Sequence, residues 1–458
     1  MGKGKKKRSI SDSSVVVQVI QKGDIWAKLS MIIMGFANLR RKQIVKGLIF
    51  LLIEAAFIYY MVQTGVNALK NMITLGTQTQ GWVYDEELGI DVLAQGDNSM
   101  LLLLYGVLCL FIITAFVLAW RANLKSALEV QMFEAKGRPI PGFIDDVKTY
   151  LDEKFNRTLL TLPMIGVLSF TVLPLAYMIL AAFTNYDNAH QPPGNLFTWI
   201  GLDNFGTILG SGSTIGKTFW PILAWTIIWA FFATFLNYIG GILLALLINR
   251  KSVKFKSLWR TIFVMSIAIP SFVSLLVMRT MLQPDGAVNV LLKSWGWIKE
   301  SIPFWTNASF ARVSVIVVNL WVGVPYTMLI TSGILLNIPE ELFEAASIDG
   351  ANAAVMFRKI TMPYVIFVTT PYLITQFVGN INNFNIIYLL SGGGPSTLDY
   401  YQAGKTDLLV TWLYKLTVNS KDYCYASAIG IIIFVISAVA SLLTYRKTSA
   451  YNNEEAFQ

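Results

Sequence analysis

Long stretches of this chain carry no charge at all. Blocks of more than 20 consecutive residues pass without a single Asp, Glu, Lys or Arg, the length an α-helix needs to cross about 30 Å of hydrocarbon. In lipid a backbone must satisfy its own hydrogen bonds, so such blocks fold as helices. With 55% hydrophobic and only 14% charged residues, against roughly 25% charged in an ordinary soluble domain, a water-soluble fold is excluded. The pattern predicts an all-α polytopic membrane protein. Eight spans follow from the blocks: Ile44 to Val66, Met100 to Trp120, Thr158 to Thr184, Phe219 to Asn249, Thr261 to Met278, Val313 to Ile338, Tyr364 to Leu390 and Ala426 to Tyr445.

An even number of spans puts both termini on one side, and the basic residues say which. Cytoplasmic flanks carry the excess of Lys and Arg. With the N-terminus inside, 26 of the 36 Lys and Arg fall on inner segments and 7 on outer ones. The net charge of +9 therefore anchors topology and needs no nucleic acid. The predicted location is a cell membrane, multi-pass, with both termini cytoplasmic. Residues 1–43 form a basic inner segment whose MGKGKKKR run is not followed by an apolar signal core. From Asp24 to Leu39, Ile25, Trp26, Leu29, Ile32, Ile33 and Phe36 recur at helical spacing, which predicts a helix in the inner interface. For residues 1–23 a poorly ordered tail is an equal alternative. Residues 449–458 are a short inner tail.

Several chemistries are missing. Cys109 and Cys424 are the two cysteines, too few for a disulfide framework or a four-ligand metal site. With one histidine, His190, general acid-base catalysis has few candidates. No catalytic group, metal or cofactor is predicted. The segment Ser211 to Thr218 (SGSTIGKT) imitates a phosphate loop, yet the first glycine of that motif is replaced by Ser211 and no buried strand precedes it. It is read as a decoy, and Gly392 to Pro395 (GGGP) as a turn at the end of a span.

Polar groups inside spans are costly unless they meet a partner or a wet cavity. Asn319, Gly323 and Tyr326 follow an i, i+4, i+7 spacing, and Gln376, Asn380 and Asn383 repeat it in the next span. Asn382 and Asn385 widen the second sector. Either stripe alone would serve as hydrogen-bonded glue between helices. Two neutral stripes flanking one short inner loop favour a cavity for an uncharged polyhydroxyl solute, with Tyr326 placed to pack on a sugar ring. The acid inside the first span, Glu54, makes a weak relay for an ion-driven carrier. Pro270, Pro325 and Pro371 predict kinks.

The inner loop of residues 337–363 reads as a helix, a glycine turn and a second helix. Pro339 suits a first helical position, Glu340 and Glu341 the positive helix start, Gly350 the reversal, and Pro363 the close of the second helix. Leu342, Phe343 and Ala346 make an apolar knob facing the cytosol, which predicts either a partner or packing under the protein's own rim.

This loop resembles the hallmark of binding-protein-dependent ABC importer permeases: Glu344, Ala345, Ala346, Asp349, Gly350, Ala351, Phe357, Ile360 and Pro363 all fit the pattern. The resemblance extends over residues 158–448, including Gly201 to Phe205, Pro270 to Phe272, Asn319 to Tyr326 and Asn380 to Phe384. Two extra spans and linker in residues 44–157, with Thr406 to Val410 in the last outer loop, make it most similar to the larger permease subunits of maltose and maltodextrin importers. The resemblance implies a six-helix ABC type I importer core plus two N-terminal helices in a bacterial membrane. It implies a second homologous permease, cytoplasmic ATP-binding subunits docked on the loop through Glu344 and Gly350, and an extracytoplasmic sugar-binding protein. Sugar contacts are implied at Ser271, Asn319, Gly323, Tyr326, Asn380 and Asn383. Ile267 departs from an expected tyrosine, Gln376 replaces a small hydroxyl, and the loop from Asn185 to Thr218 lacks a large insert. The competing readings are the same machinery with another oligosaccharide or glycerol phosphate, an ion-coupled sugar carrier, and a membrane enzyme or scaffold.

Overall fold

The computed structural model describes residues 15–87, 89–250 and 252–446; the first 14 residues, with the MGKGKKKR run, and the tail 449–458 lie outside them. The described chain is mostly helical, and it divides into two compact units after Trp199.

In the first unit, α1 (Val15–Lys22), α2 (Ile25–Leu29) and α3 (Phe36–Arg40) precede the long helix α4 (Ile44–Thr74). The predicted interfacial helix is thus two short helices. Gly35 breaks it, with φ +82 and its backbone close against Gly47, where a side chain would collide. Ile25 and Ile32 stay exposed while Ala27, Met34 and Ala37 are buried, so the amphipathic sense of the segment survives its break. Asp24 caps α2 by accepting from the Ala27 N–H at 2.8 Å. Arg41 pairs with Asp24 and donates to Glu134 at 2.6 Å. Glu54, open as a relay on sequence, accepts from the Met34 backbone N–H at 2.8 Å; it ties down a turn.

A hairpin of β1 (Gly81–Asp85) and β2 (Ile90–Ala94) follows, antiparallel with Val83 opposite Val92. Then come α5 (Ser99–Ala135), α6 (Phe143–Leu151) and α7 (Phe155–Ala181). Helices α4 and α5 pack through stacked Phe57 and Phe116, ring centroids 3.8 Å apart. Cys109 and Cys424 are buried and form no disulfide.

The second unit opens with α8 (Asp203–Leu209) and α9 (Thr214–Asn249). The phosphate-loop decoy is simply the start of α9, where the Ser213 hydroxyl accepts from the Gly216 N–H at 2.9 Å. Next are α10 (Lys256–Ala268) and α11 (Ser271–Met281), then α12 (Ala287–Ser294), α13 (Ala308–Leu336), α14 (Glu340–Ile348) and α15 (Ala353–Ile381). The chain ends its described part with α16 (Phe384–Leu390), α17 (Leu409–Lys415) and α18 (Tyr423–Arg446). Among the described residues seven helices are long and apolar enough to span a membrane, and α10 with α11 form an eighth candidate bent by 88°. The predicted span from Thr261 to Met278 is therefore an elbow. Pro270 removes a donor and fixes an extended backbone, φ −52 and ψ 125, between the two pieces.

Helices α9 and α13 cross closely because small residues let them. A Cβ on Gly240 would lie 2.8 Å from Val324, and one on Gly241 2.5 Å from Thr327. The core beside this crossing is built on Trp225, Trp229, Leu275, Val318 and Ile387.

Candidate sugar site and coupling loop

The two polar stripes land on different structures. On α13, Asn319 is buried and its Nδ2 has no hydrogen-bond partner among the described residues. Gly323, one turn on, receives the Asn237 carboxamide of α9, which occupies the space a side chain would need. Tyr326 is 46% exposed and its ring lies 6.2 Å from that of Tyr372 on α15.

The second stripe is not one helical face. α15 ends at Ile381 and Asn383 caps α16, accepting from the Ile386 N–H at 3.3 Å. The i, i+4, i+7 reading of Gln376, Asn380 and Asn383 fails at its last member because asparagine side chains compete for backbone donors and end helices. Asn380 and Asn383 instead bind each other across the break, Asn383 Nδ2 donating to Asn380 Oδ1 at 3.3 Å. Asn380 Nδ2 donates to the Thr234 hydroxyl at 3.0 Å, and its carbonyl accepts from Trp229 Nε1 at 3.1 Å. Asn382 donates to the Val378 carbonyl at 3.2 Å, and Asn385 is exposed.

A cavity of about 40 Å3 brings Gly323, Tyr326 and Gln376 together with Thr234 and Asn237 of α9 and with Thr327 and Tyr372. Thr327 and the Tyr372 hydroxyl bond at 3.1 Å. No charged side chain is in the lining, so the site is neutral and rich in hydroxyl and amide groups. Thr234 joins it to Asn380, whereas Ser271 stands apart, exposed at the elbow between α10 and α11. The contribution of α9 was missed on sequence, although Thr234, Asn237 and Tyr238 sit at i, i+3, i+4 in a charge-free block.

The first helix and the glycine turn of the loop of residues 337–363 fold as their pattern predicts, but Pro363 does not close the second helix. That helix runs on from Ala353 to Ile381, with Pro363 in the opening turn of its last stretch, where a missing N–H is tolerated. α14 begins after Pro339, which caps it from one position earlier than expected, and carries Glu340 and Glu341 in its first turn. Gly350 turns the chain at φ +77, and the Ala351 N–H donates to the Ala346 carbonyl at 2.9 Å. Asn352 caps the next helix through the Val355 N–H at 2.9 Å. Phe357 and Ile360 lie in a π-helical turn, Phe357–Thr361, that leads through Pro363 into the span. No residue of α14 is buried; Glu344, Ala345 and Asp349 are exposed, Ile348 is 87% exposed, and Phe343 and Ala346 are half-buried. Of the knob residues, Leu342 stays exposed while Phe343 and Ala346 are partly covered by the chain itself.

A third polar knot lies in the loop of residues 391–425. Asp407 is fully buried and pairs with Lys415 at 2.6 Å while accepting from the Gly404 N–H at 2.7 Å. Burial pushes its carboxyl up, and Lys415 pulls it back. Thr406 beside it accepts from Trp225 Nε1 at 3.1 Å through its carbonyl, and the Leu409 N–H donates to Thr226 at 3.1 Å. The segment Thr406 to Val410 therefore fastens this loop to α9.

Comparison with known proteins decides the family. Residues 237–446 match the family model "Binding-protein-dependent transport system inner membrane component". The chain is 35% identical over 438 residues, 94% of itself and 97% of the relative, to the maltodextrin transport system permease protein MalC of Streptococcus pneumoniae serotype 4. The chain belongs to the binding-protein-dependent ABC importer permeases. This permease is also 34% identical over 431 residues, 93% of itself and 98% of the relative, to the galactooligosaccharides transport system permease protein GanP of Bacillus subtilis. A chain of a bacterial ABC transporter for the import of alginate shares the fold, with a TM-score of 0.52 and 24% identity over 66% of this permease and 99% of that chain. The permease is a membrane transport subunit of the MalF/MalC type and not an enzyme.

Proposed function

We propose that this permease is one of two membrane subunits of an ATP-driven importer for maltose and maltodextrins. The observation that carries the reading is the uncharged hydroxyl-and-amide lining around Gly323, Tyr326 and Gln376, in a chain whose relatives include a maltodextrin permease. Neutral donors and acceptors beside an aromatic ring match sugar hydroxyls and a sugar face. In this reading Asn319, Gly323, Tyr326, Gln376, Asn380, Asn383 and Ser271 face the sugar pathway, which a second homologous permease completes.

The loop helix α14 docks in a separate ATPase through Glu344, Gly350 and the exposed apolar residues around them. The basic segments lie in the cytoplasm, so both termini do, and a sugar-binding protein meets the opposite face. ATP-driven closure of the ATPases moves the two loop helices together and turns the pathway outward; hydrolysis resets it. Residues 158–448 act as the transport core and residues 44–157 as an accessory pair of spans. Galactooligosaccharides are the second reading, favoured by the equally extensive likeness to GanP.

The test is ATP-driven uptake in proteoliposomes holding the permease with its partner permease and ATPase, offered maltotriose or galactooligosaccharides with the binding protein. Maltotriose accumulation that needs ATP supports the reading. Accumulation by this chain alone on an ion gradient overturns it.

A further inference from the structure

The cavity lining offers more hydrogen-bonding capacity than its own contacts use. Thr234 is engaged by Asn380, and Thr327 by Tyr372. Asn237 differs: its Oδ1 is buried and meets no donor among the described residues. An amide that served only to glue α9 to α13 would close its bonds across the crossing. At this crossing Gly323 supplies room and no donor. The acceptor is thus buried against a small, neutral polar cavity with nothing to accept from among the described residues, a state that costs free energy until a donor arrives.

We propose that Asn237 Oδ1 accepts a hydrogen bond from a hydroxyl of the transported sugar, which makes α9 the third wall of the site beside α13 and α15. The inference rests on the sugar reading above and names a residue that neither polar stripe contains. The chemistry is matched: an orphaned acceptor calls for a hydroxyl donor, and a carboxamide keeps the wall uncharged. The cavity of about 40 Å3 is too small for a sugar ring, so access needs the walls to part as the pathway opens as well as a rotation of Asn237 out of the Gly323 notch. The same rotation frees the notch for a sugar edge, which gives Gly323 a purpose in both states. Thr234 and Asn237, three residues apart on α9, share a face, so the wall that binds Asn380 through Thr234 also carries the free acceptor.

The test is KM for ATP-driven uptake by the complete importer in proteoliposomes, with maltose and a set of monodeoxy maltoses as probes. In the wild-type importer, loss of the hydroxyl that meets Asn237 raises KM roughly three- to tenfold, the worth of one neutral hydrogen bond. Asn237→Ala raises KM for maltose by a similar factor and no longer distinguishes maltose from that one deoxy analogue, while discrimination at the other hydroxyls persists. Asn237→Ser, which keeps a small polar group in the notch, provides a second variant. Wild-type ranking of the whole panel by assembled Asn237→Ala overturns the inference, and so does loss of ATPase co-purification in both variants, since that would make Asn237 a packing residue. Asn380→Ala with Asn383→Ala is run on the same panel. A shift there without one at Asn237 sinks this inference and leaves the sugar reading standing; a wild-type importer that carries no maltose overturns both.

Discussion

The Asn237 carboxamide of α9 fills the hollow left by Gly323 of α13, so that a methyl at position 323 collides with it unless the Asn237 side chain shifts. Gly323→Ala gains helix propensity of up to about 1 kcal/mol but overpacks the crossing at a typical cost of about 1–3 kcal/mol. The net expectation is a lower melting temperature of the detergent-solubilised permease. Adding Asn237→Ala should recover most of that loss, because the two residues share one space. Additive effects of the two substitutions would show that the hollow is not shared.

Asn380 and Asn383 join the helix break to α9, so their removal should be felt in both fold and transport. Asn380→Ala deletes the bonds to Thr234 and Asn383 and is expected to lower stability by about 1–2 kcal/mol. The double variant Asn380→Ala, Asn383→Ala should still co-purify with the ATPase but take up sugar with a raised KM. An unchanged KM would leave the pair as a structural clasp.

The loop of residues 337–363 is exposed, so its substitutions should spare the fold and remove the work. Gly350 sits at φ +77, whereas proline is fixed near −65°; Gly350→Pro deforms the turn. Glu344→Lys reverses an exposed charge. Both are expected in the membrane at wild-type level with transport reduced on the order of tenfold or more, equivalent to ~1.4 kcal/mol of lost docking free energy. Full uptake by both variants would take the coupling role away from this loop.

Lys415→Met strands a buried carboxylate, and breaking a buried pair from one side costs about 3–5 kcal/mol. The folded Asp407 carboxyl already lies above its ordinary value, and without Lys415 it rises further. A raised folded value means that the stability it brings is present at acid pH and fades as pH climbs through it. The deficit of Lys415→Met in thermal melts should therefore shrink on acidification and grow toward neutral pH. Asp407→Leu with Lys415→Met should be milder than Lys415→Met alone.

Asp97 behaves in the opposite sense. The Thr77 and Gln78 backbone N–H groups donate to its Oδ2 at 2.7 and 3.0 Å and hold the carboxyl below the ordinary value. Its contribution is present above the unfolded value and disappears as pH falls through the folded one. Hydrogen exchange at Thr77 and Gln78, corrected for intrinsic rates, should lose protection at strongly acid pH, and Asp97→Asn should reproduce much of that loss at neutral pH.

What could be read from the sequence was whatever depends on length, charge and local chemistry. The spans were legible because a block such as Phe219 to Asn249 has no alternative in lipid, and the loop hairpin because Pro339, Gly350 and the leading glutamates specify it locally. The elbow at Pro270 was harder: 18 uncharged residues from Thr261 to Met278 count the same whether straight or bent by 88°. The polar stripe through Gln376, Asn380 and Asn383 assumed an unbroken helix, and the asparagines that made it visible are the residues that ended it. Asn237 escaped notice because a lone amide in a long apolar helix means little until its neighbour across the crossing is known to be Gly323.

The π-helical turn at Phe357–Thr361 bears on how a push at the loop could reach the middle of the membrane. A wide turn of this kind holds slack. Drawn tight to an ordinary α-turn, each residue taken up rotates the helix above it by about 100°. Gln376 and Tyr372, carried on that same helix, would then sweep around its axis: the motor's stroke would arrive there as torsion, in the manner of a key, with little lengthwise travel.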